Sequence, residues 1–318
     1  MRGIGISLVC FHLLLVALAV LVSGAFGGET TETVALRKVL ESEATGWQRA
    51  DAKLLLDLYS PYFAGYAGYT TADSVRWQVT FDSFEAFGQF AEAELEAAEG
   101  GTSGWKYILM RQATYFHVRN NKAVAVTQDS LLVTHRQTGE KRYFAGPVFW
   151  TFAKKGEDWL ITGFVGRGLA TGESRTKATG SSPGSLAEVL GAEAQAWNGA
   201  DVGEIVAQYS DERFVGYAGG GGSNPGAWKV CFSDIAEFRA FLKRRLSRAS
   251  YQISREVIYN HVAGRHAVVV TKEQVSTVHR ETKLRRSLER YALWTLTRSG
   301  NKWQITSFYL DVGLPRSG

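Results

Sequence analysis

The chain is written twice. Tyr59-Ser60-Pro61-Tyr62-Phe63-Ala64-Gly65-Tyr66-Ala67-Gly68 returns as Tyr209-Ser210-Asp211-Glu212-Arg213-Phe214-Val215-Gly216-Tyr217-Ala218-Gly219, with one inserted residue. Upstream, Trp47 and Asp51 match Trp197 and Asp201; downstream, Trp77, Phe81, Phe87 and Phe90 match Trp228, Phe232, Phe238 and Phe241. The correspondence resumes with Arg111, Tyr115, His117, Thr127 and His135 against Arg255, Tyr259, His261, Thr271 and His279. It closes with Trp150, Trp159, Ile161 and Phe164 against Trp294, Trp303, Ile305 and Phe308. Matches in one order through whole domains mean tandem copies of one folding unit. The expected boundaries are 33–168 and 185–314. The Gly-, Ser- and Thr-rich stretch 169–184 between them has the composition of a linker.

The 318 residues suffice for two domains, and 45% hydrophobic with 21% charged is a globular composition. A net charge of +5 is too mild for a dedicated nucleic-acid binder, and no nucleic-acid partner is expected. Residues 1–25 read as an export signal: Arg2, an apolar run from Ile4 to Val22, then the small residues Ser23-Gly24-Ala25 of a cleavage site. An uncleaved anchor is the alternative, since the run approaches spanning length. The expected location is periplasmic or extracellular. Removing the leader takes Cys10 with it and leaves Cys231 alone, so no intrachain disulfide is available.

Each copy opens with helical patterning. Val34, Leu36, Val39 and Leu40 share one face, Asp51 and Asp201 have the position of N-caps, and a third helix carries Phe84, Phe87 and Phe90 or their counterparts Ile235, Phe238 and Phe241. The Gly-Tyr-Ala-Gly segment reads as a loop. Four β-rich stretches follow, with Asn120-Asn121 as a tight hairpin turn. Helices followed by an antiparallel run give an α+β fold.

That order, closing on Trp150 to Thr162 and Trp294 to Thr306 (an aromatic strand, a charged Gly turn, then Trp and β-branched residues), resembles nuclear transport factor 2-like (SnoaL-like) domains. The resemblance implies two tandem cone-fold domains, each with three N-terminal helices packed in a curved antiparallel sheet around a pocket. The opening Trp47-Gln48-Arg49-Ala50-Asp51, with Trp77 later, is more narrowly similar to modules attached to periplasmic L,D-transpeptidases. The fold hosts isomerases, cyclases, dehydratases and non-catalytic binding modules alike, so it does not choose among them.

Arg111-x-x-x-Tyr115-x-His117 recurs as Arg255-x-x-x-Tyr259-x-His261. Strict strand alternation would put each trio on one face, a cation, a phenol and an imidazole suited to an anionic or hydroxylated ligand. The bland alternative is packing for the Tyr, an ion pair for the Arg and exposure for the His. His117 and His261 are the candidate acid–base groups, and no catalytic set can be assigned with them. Asp129 and His135 share parity, as do Glu273 and His279, but six residues of strand separate each pair by roughly 20 Å. Tyr66 and Tyr217 are candidate pocket-mouth aromatics. No metal-ligand spacing or cofactor fingerprint stands out. The third helices differ in charge: Glu85, Glu92, Glu94, Glu96 and Glu99 face a counterpart with Arg239, Lys243, Arg244, Arg245 and Arg248.

These features favour an exported, non-catalytic binding module for a small molecule or cell-envelope polymer. A SnoaL-like acid–base enzyme is the alternative. A sheet-mediated pseudo-dimer within the chain, or a homo-oligomer, is compatible with both.

Overall fold

The computed structural model describes residues 30–71, 74–99, 105–166, 183–218 and 229–310. The expected leader, most of the expected linker, Trp228 and the Gly219–Gly222 run lie outside them. The first copy runs α1 (Thr31–Arg49), α2 (Ala52–Asp57), β1 (Tyr59–Thr71), β2 (Ser74–Phe81), α3 (Phe84–Glu99), β3 (Trp105–Arg119), β4 (Lys122–His135), β5 (Lys141–Lys155) and β6 (Asp158–Gly166). The second runs α4 (Pro183–Asn198), α5 (Val202–Val206), β7 (Val215–Ala218), β8 (Lys229–Phe232), α6 (Ile235–Arg248), β9 (Ala249–Ala263), β10 (His266–His279), β11 (Arg285–Ser299) and β12 (Lys302–Leu310). The fold is α+β: two cone-fold domains in tandem, each with three helices held in its own sheet.

The expected helix caps are in place. Asp51 accepts from the Leu54 amide at 2.8 Å and Asp201 from the Glu204 amide at 3.0 Å. Asn120 adopts φ 53°, with Arg119 paired to Lys122 across a two-residue turn. Gly264 takes the equivalent place with φ +53°.

The sheets are larger than the four-strand expectation. Each has six strands, ordered β2-β1-β6-β5-β4-β3 and β8-β7-β12-β11-β10-β9. The Gly-Tyr-Ala-Gly segments are not loops over their described residues; Gly65–Gly68 lies in β1 and Gly216–Ala218 in β7, and these strands run parallel to β6 and β12. The glycines that suggested turns are there because aromatic rings cover them. A Cβ on Gly216 would sit 2.6 Å from Phe232 Cδ2 and 2.9 Å from Phe308 Cζ. One on Gly65 would sit 2.9 Å from Phe81 and 3.2 Å from Phe164.

The two faces of each sheet are both buried, for different reasons. On the concave face, Ala123, Ala125, Trp150 and Phe152 pack against Leu36, Leu40, Phe87 and Leu95 from the helices. Ala267, Val269, Trp294 and Leu296 do the same against Leu186, Leu190, Phe238 and Leu242. On the convex face, Val124, Val126, Phe149 and Tyr66 of the first copy form one cluster with Val268, Val270, Leu293, Tyr217 and Tyr309 of the second. The copies therefore meet sheet to sheet. This explains the unalternating run Ala123–Thr127 and its counterpart Ala267–Thr271. At the rim, Asn120 Nδ2 donates to Ser233 Oγ at 3.0 Å and Arg119 pairs with Glu237 at 3.0 Å.

Gly216→Ala should lower the unfolding free energy by about 1–3 kcal/mol, because Phe232 and Phe308 must give way. Gly191→Ala, in helix α4 with nothing within 4 Å of the added methyl, should raise it by up to about 1 kcal/mol. Urea unfolding of the two variants against the parent checks both signs.

Candidate functional site

The repeated Arg-x-x-x-Tyr-x-His trio is split between the two faces of its sheet. β3 carries a β-bulge between Ala113 and Tyr115, and β9 carries one facing the Val270/Thr271 step. The extra residues are Thr114, whose Oγ1 donates to the Val126 carbonyl at 3.0 Å, and Ile258. One extra residue inverts the parity of all that follows. Arg111 and Arg255 consequently point into their cones, whereas Tyr115, His117, Tyr259 and His261 point toward the other copy. The expectation of a shared face is corrected on this point.

Inside each cone the arginine completes a buried polar cluster. Arg111 Nη1 lies 2.6 Å from Glu43 Oε2, its Nη2 lies 2.8 Å from Asp129 Oδ2, and Nη1 also donates to the Leu40 carbonyl at 3.1 Å. Its guanidinium stacks 4.4 Å above the Trp150 ring. Glu43 in turn accepts from Trp47 Nε1 at 2.7 Å and from the Tyr59 hydroxyl at 3.0 Å. The second copy repeats the arrangement with Arg255, Glu193, Glu273, Trp197, Tyr209 and Trp294. Burial alone would lower the pKa of both arginines. The flanking carboxylates, Glu43 and Asp129 or Glu193 and Glu273, more than reverse that and hold them charged. Burial and then Glu43 or Glu193 push the Tyr59 and Tyr209 phenols well above their usual range. Glu43 and Glu193 were not singled out in the sequence, although Glu-x-x-x-Trp at helical spacing repeats in both copies.

The two clusters differ where it matters for a ligand. In the second copy Arg290 also reaches Glu273, at 2.8 Å; repeat alignment puts Gly146 at that place in the first. Burial raises the Glu273 pKa, and Arg255 with Arg290 outweighs this, so the carboxyl stays ionised. Glu193 Oε2 lies 3.0 Å from Arg255 Nη1 but without an aligned hydrogen bond among the described residues. Above this cluster lies a cavity of about 430 Å³, walled by Trp197, Phe241, Tyr251, Ile253, Val275 and Leu288. Arg245 and Arg286, both exposed, and the half-buried Arg290 line the same cavity. Cys231 also lines it, and burial raises its thiol pKa.

The histidine candidates do different work. His117 Nδ1 accepts from the Val230 amide, and His261 Nδ1 from the Val79 amide, each at 3.2 Å across the copies. Burial lowers both pKa values, with Lys229 and then Arg119 adding to the effect at His117. Tyr66 and Tyr217 are buried between the sheets. Each hydrogen-bonds a threonine of the other copy, Tyr66 to Thr295 and Tyr217 to Thr151. They do not rim a cone. Trp77 falls in strand β2. His135 and His279 sit at hairpin ends and accept from the Thr138 and Thr282 amides, whereas Asp129 and Glu273 are taken up by the arginines.

No protein-family model and no curated protein matches the chain. Similar solved structures include a ketosteroid isomerase-like protein from Erwinia carotovora atroseptica SCRI1043, with 17% identity, TM-score 0.33, and 40% of this chain and 92% of that one covered. An NTF2-like protein of unknown function from Pseudomonas putida KT2440 has 16% identity, TM-score 0.31, and covers 39% and 82%. A domain of unknown function with a cystatin-like fold from Nostoc punctiforme has 14% identity, TM-score 0.33, and covers 42% and 78%.

Arg111→Ala should cost about 3–5 kcal/mol, since it leaves two buried carboxylates without a counter-charge. Arg111→Lys should not restore it, because one ammonium cannot span both partners; chemical denaturation of the pair measures this. His117, His261 and His266 give a pH slope of known sign. Their folded-state pKa lies below the ordinary 6.5, so the unfolded chain binds more protons. Stability is full above about pH 6.5 and declines as pH falls below it. His266, held at about 4 by burial, contributes on the order of 3 kcal/mol of that decline at about 1.4 kcal/mol per pH unit. Unfolding free energies at pH 7.5 and 5 should show the loss, and H117N/H261N/H266N should flatten it.

Proposed function

We propose that the protein is an exported, non-catalytic binding module whose second cone takes a small amphipathic anion. The cavity beside Arg255 carries this proposal. Its size lies within the usual range for small-ligand sites, and its wall is aromatic and aliphatic. Arg255, Glu193, Glu273 and Arg290 balance one another in charge, which leaves Arg245 and Arg286 as surplus cations at the opening. Among the described residues neither has a carboxylate within ion-pair distance. The first copy differs at the matching places: Glu94 stands for Arg245, and Arg142 is paired with Glu140 at 2.9 Å. A planar or aliphatic body against Trp197 and Phe241, with its anionic group on Arg245 and Arg286, satisfies both halves of the site. A hydroxyl at the far end would supply the donor that Glu193 Oε2 lacks.

The acid–base alternative needs a group inside the cone that exchanges protons near neutral pH. The cavity lining offers Tyr209 and Cys231, both pushed upward, and one carboxylate, Glu193, which is paired with Arg255. The candidate histidines His117 and His261 lie between the copies instead.

Export is supported by the apolar run from Ile4 to Val22 with its small-residue end. The similarity of the Trp47–Asp51 opening to transpeptidase-attached modules favours a cell-envelope setting. So does the basic surface of α6, which suits an anionic envelope polymer or lipid headgroup. The sheet-to-sheet contact makes the chain its own pseudo-dimer, with the first copy as scaffold.

A direct test uses 2-naphthoate and its neutral analogue 2-naphthamide, followed by tryptophan fluorescence. Naphthoate should quench saturably, the amide should bind at least tenfold more weakly, and Arg245→Glu should weaken naphthoate by a similar factor. Equal binding of acid and amide, or indifference to Arg245→Glu, would refute the assignment.

A further inference from the structure

Between the convex faces, away from both cones, lies a second cavity of about 130 Å³ lined by residues of both copies. It sits where equivalent residues face each other: Tyr66 and Tyr217, Thr151 and Thr295, Thr162 and Thr306 all contribute to its wall. Most of its hydroxyls are already used. Thr151 and Thr162 hydrogen-bond each other at 3.0 Å, Thr295 and Thr306 at 2.8 Å, and the two tyrosines bond the threonines across the interface.

Three nitrogen-bearing side chains on the wall are not used in this way. His266 is 9% exposed, yet its Nδ1 has no hydrogen-bond partner among the described residues. A buried polar atom left so is unfavourable unless something occupies the space before it. Arg213 stacks 4.7 Å above the Tyr62 ring, and no ion pair of its guanidinium exists among the described residues. Lys122 is half-buried, which lowers its ammonium pKa against the opposing pull of Asp234. Glu212 is the single acid on the wall and is exposed.

Repeat alignment shows why these groups converge. Lys122 and His266 occupy the same place in the two copies, and Tyr62 and Arg213 another. The sheet contact brings both places together, so two asymmetric substitutions yield a cationic corner that neither copy has alone.

We propose that this interface cavity is a small-oxyanion site, in which Arg213, Lys122 and His266 Nδ1–H bind an inorganic phosphate or a short carboxylate. The volume holds about four waters at about 30 Å³ each, which matches such an ion and excludes the larger ligand of the second cone. The site is separate from that cone, so its test does not depend on the cone's ligand.

The experiment is an NMR titration of the full mature chain with inorganic phosphate and, separately, acetate, following the His266 imidazole. Either ion should shift the His266 signal saturably and raise its titration midpoint, with His135 and His279 unmoved. Phosphate dominance would mark a tetrahedral ion, acetate dominance a planar one. Arg213→Met should weaken binding at least tenfold, and Arg213→Met/Lys122→Met should abolish it, with the melting temperature reporting that the variants fold. A His266 signal indifferent to both ions in the parent chain would overturn the proposal and leave the cavity to water. So would binding undiminished in Arg213→Met.

Discussion

An arginine sealed between a helix carboxylate and a strand carboxylate holds each copy together. Burying three ions costs several kcal/mol apiece unless every charge is met. Here the helix glutamate takes the indole and phenol donors of Trp47 and Tyr59 as well as the guanidinium. That closes the rotation of α1 against the sheet, because Glu43, Leu40 and Trp47 must all present one helix face. The strand carboxylate then decides what the cone becomes. Asp129 is short and among the described residues serves Arg111 alone, whereas Glu273 is one methylene longer and holds both Arg255 and Arg290. An extra cation is thereby kept at the wall of the second cone.

The sheets are buried on both sides, and this follows from the same constraint. The helices fill the concave face around the arginine, so the convex face needs another partner, and the other copy supplies it. Placing two histidine acceptors against backbone amides in that contact couples docking to protonation. The contact also brings together residues that are far apart in sequence, so the convex side acquires chemistry of its own.

Much of the fold was legible. The repeat, the aspartate caps and the Asn120 turn are local features, set by residues within a few positions of one another. Gly65 and Gly216 misled because a glycine under a phenylalanine and a glycine in a turn look alike until the ring is placed. The Arg-Tyr-His trio misled because alternation holds only while the strand is regular; Thr114 and Ile258 break it. Two signals were present and unused. Glu43-x-x-x-Trp47 recurs as Glu193-x-x-x-Trp197, pointing to a helix-borne carboxylate. The unalternating Ala267–Thr271 run points to a strand covered on both faces.

Read along the chain, the residues already establish two copies, helices before strands in each, and the places where their charge differs. Such properties depend on order and local pattern. Tertiary structure decided which face each arginine, tyrosine and histidine occupies, which carboxylate meets which cation, and that the histidines join the copies instead of lining the cones. Those outcomes depend on register across strands and on one bulge per sheet. A single extra residue inverts every later side chain, and no count along the chain reveals where the partner strand absorbs it.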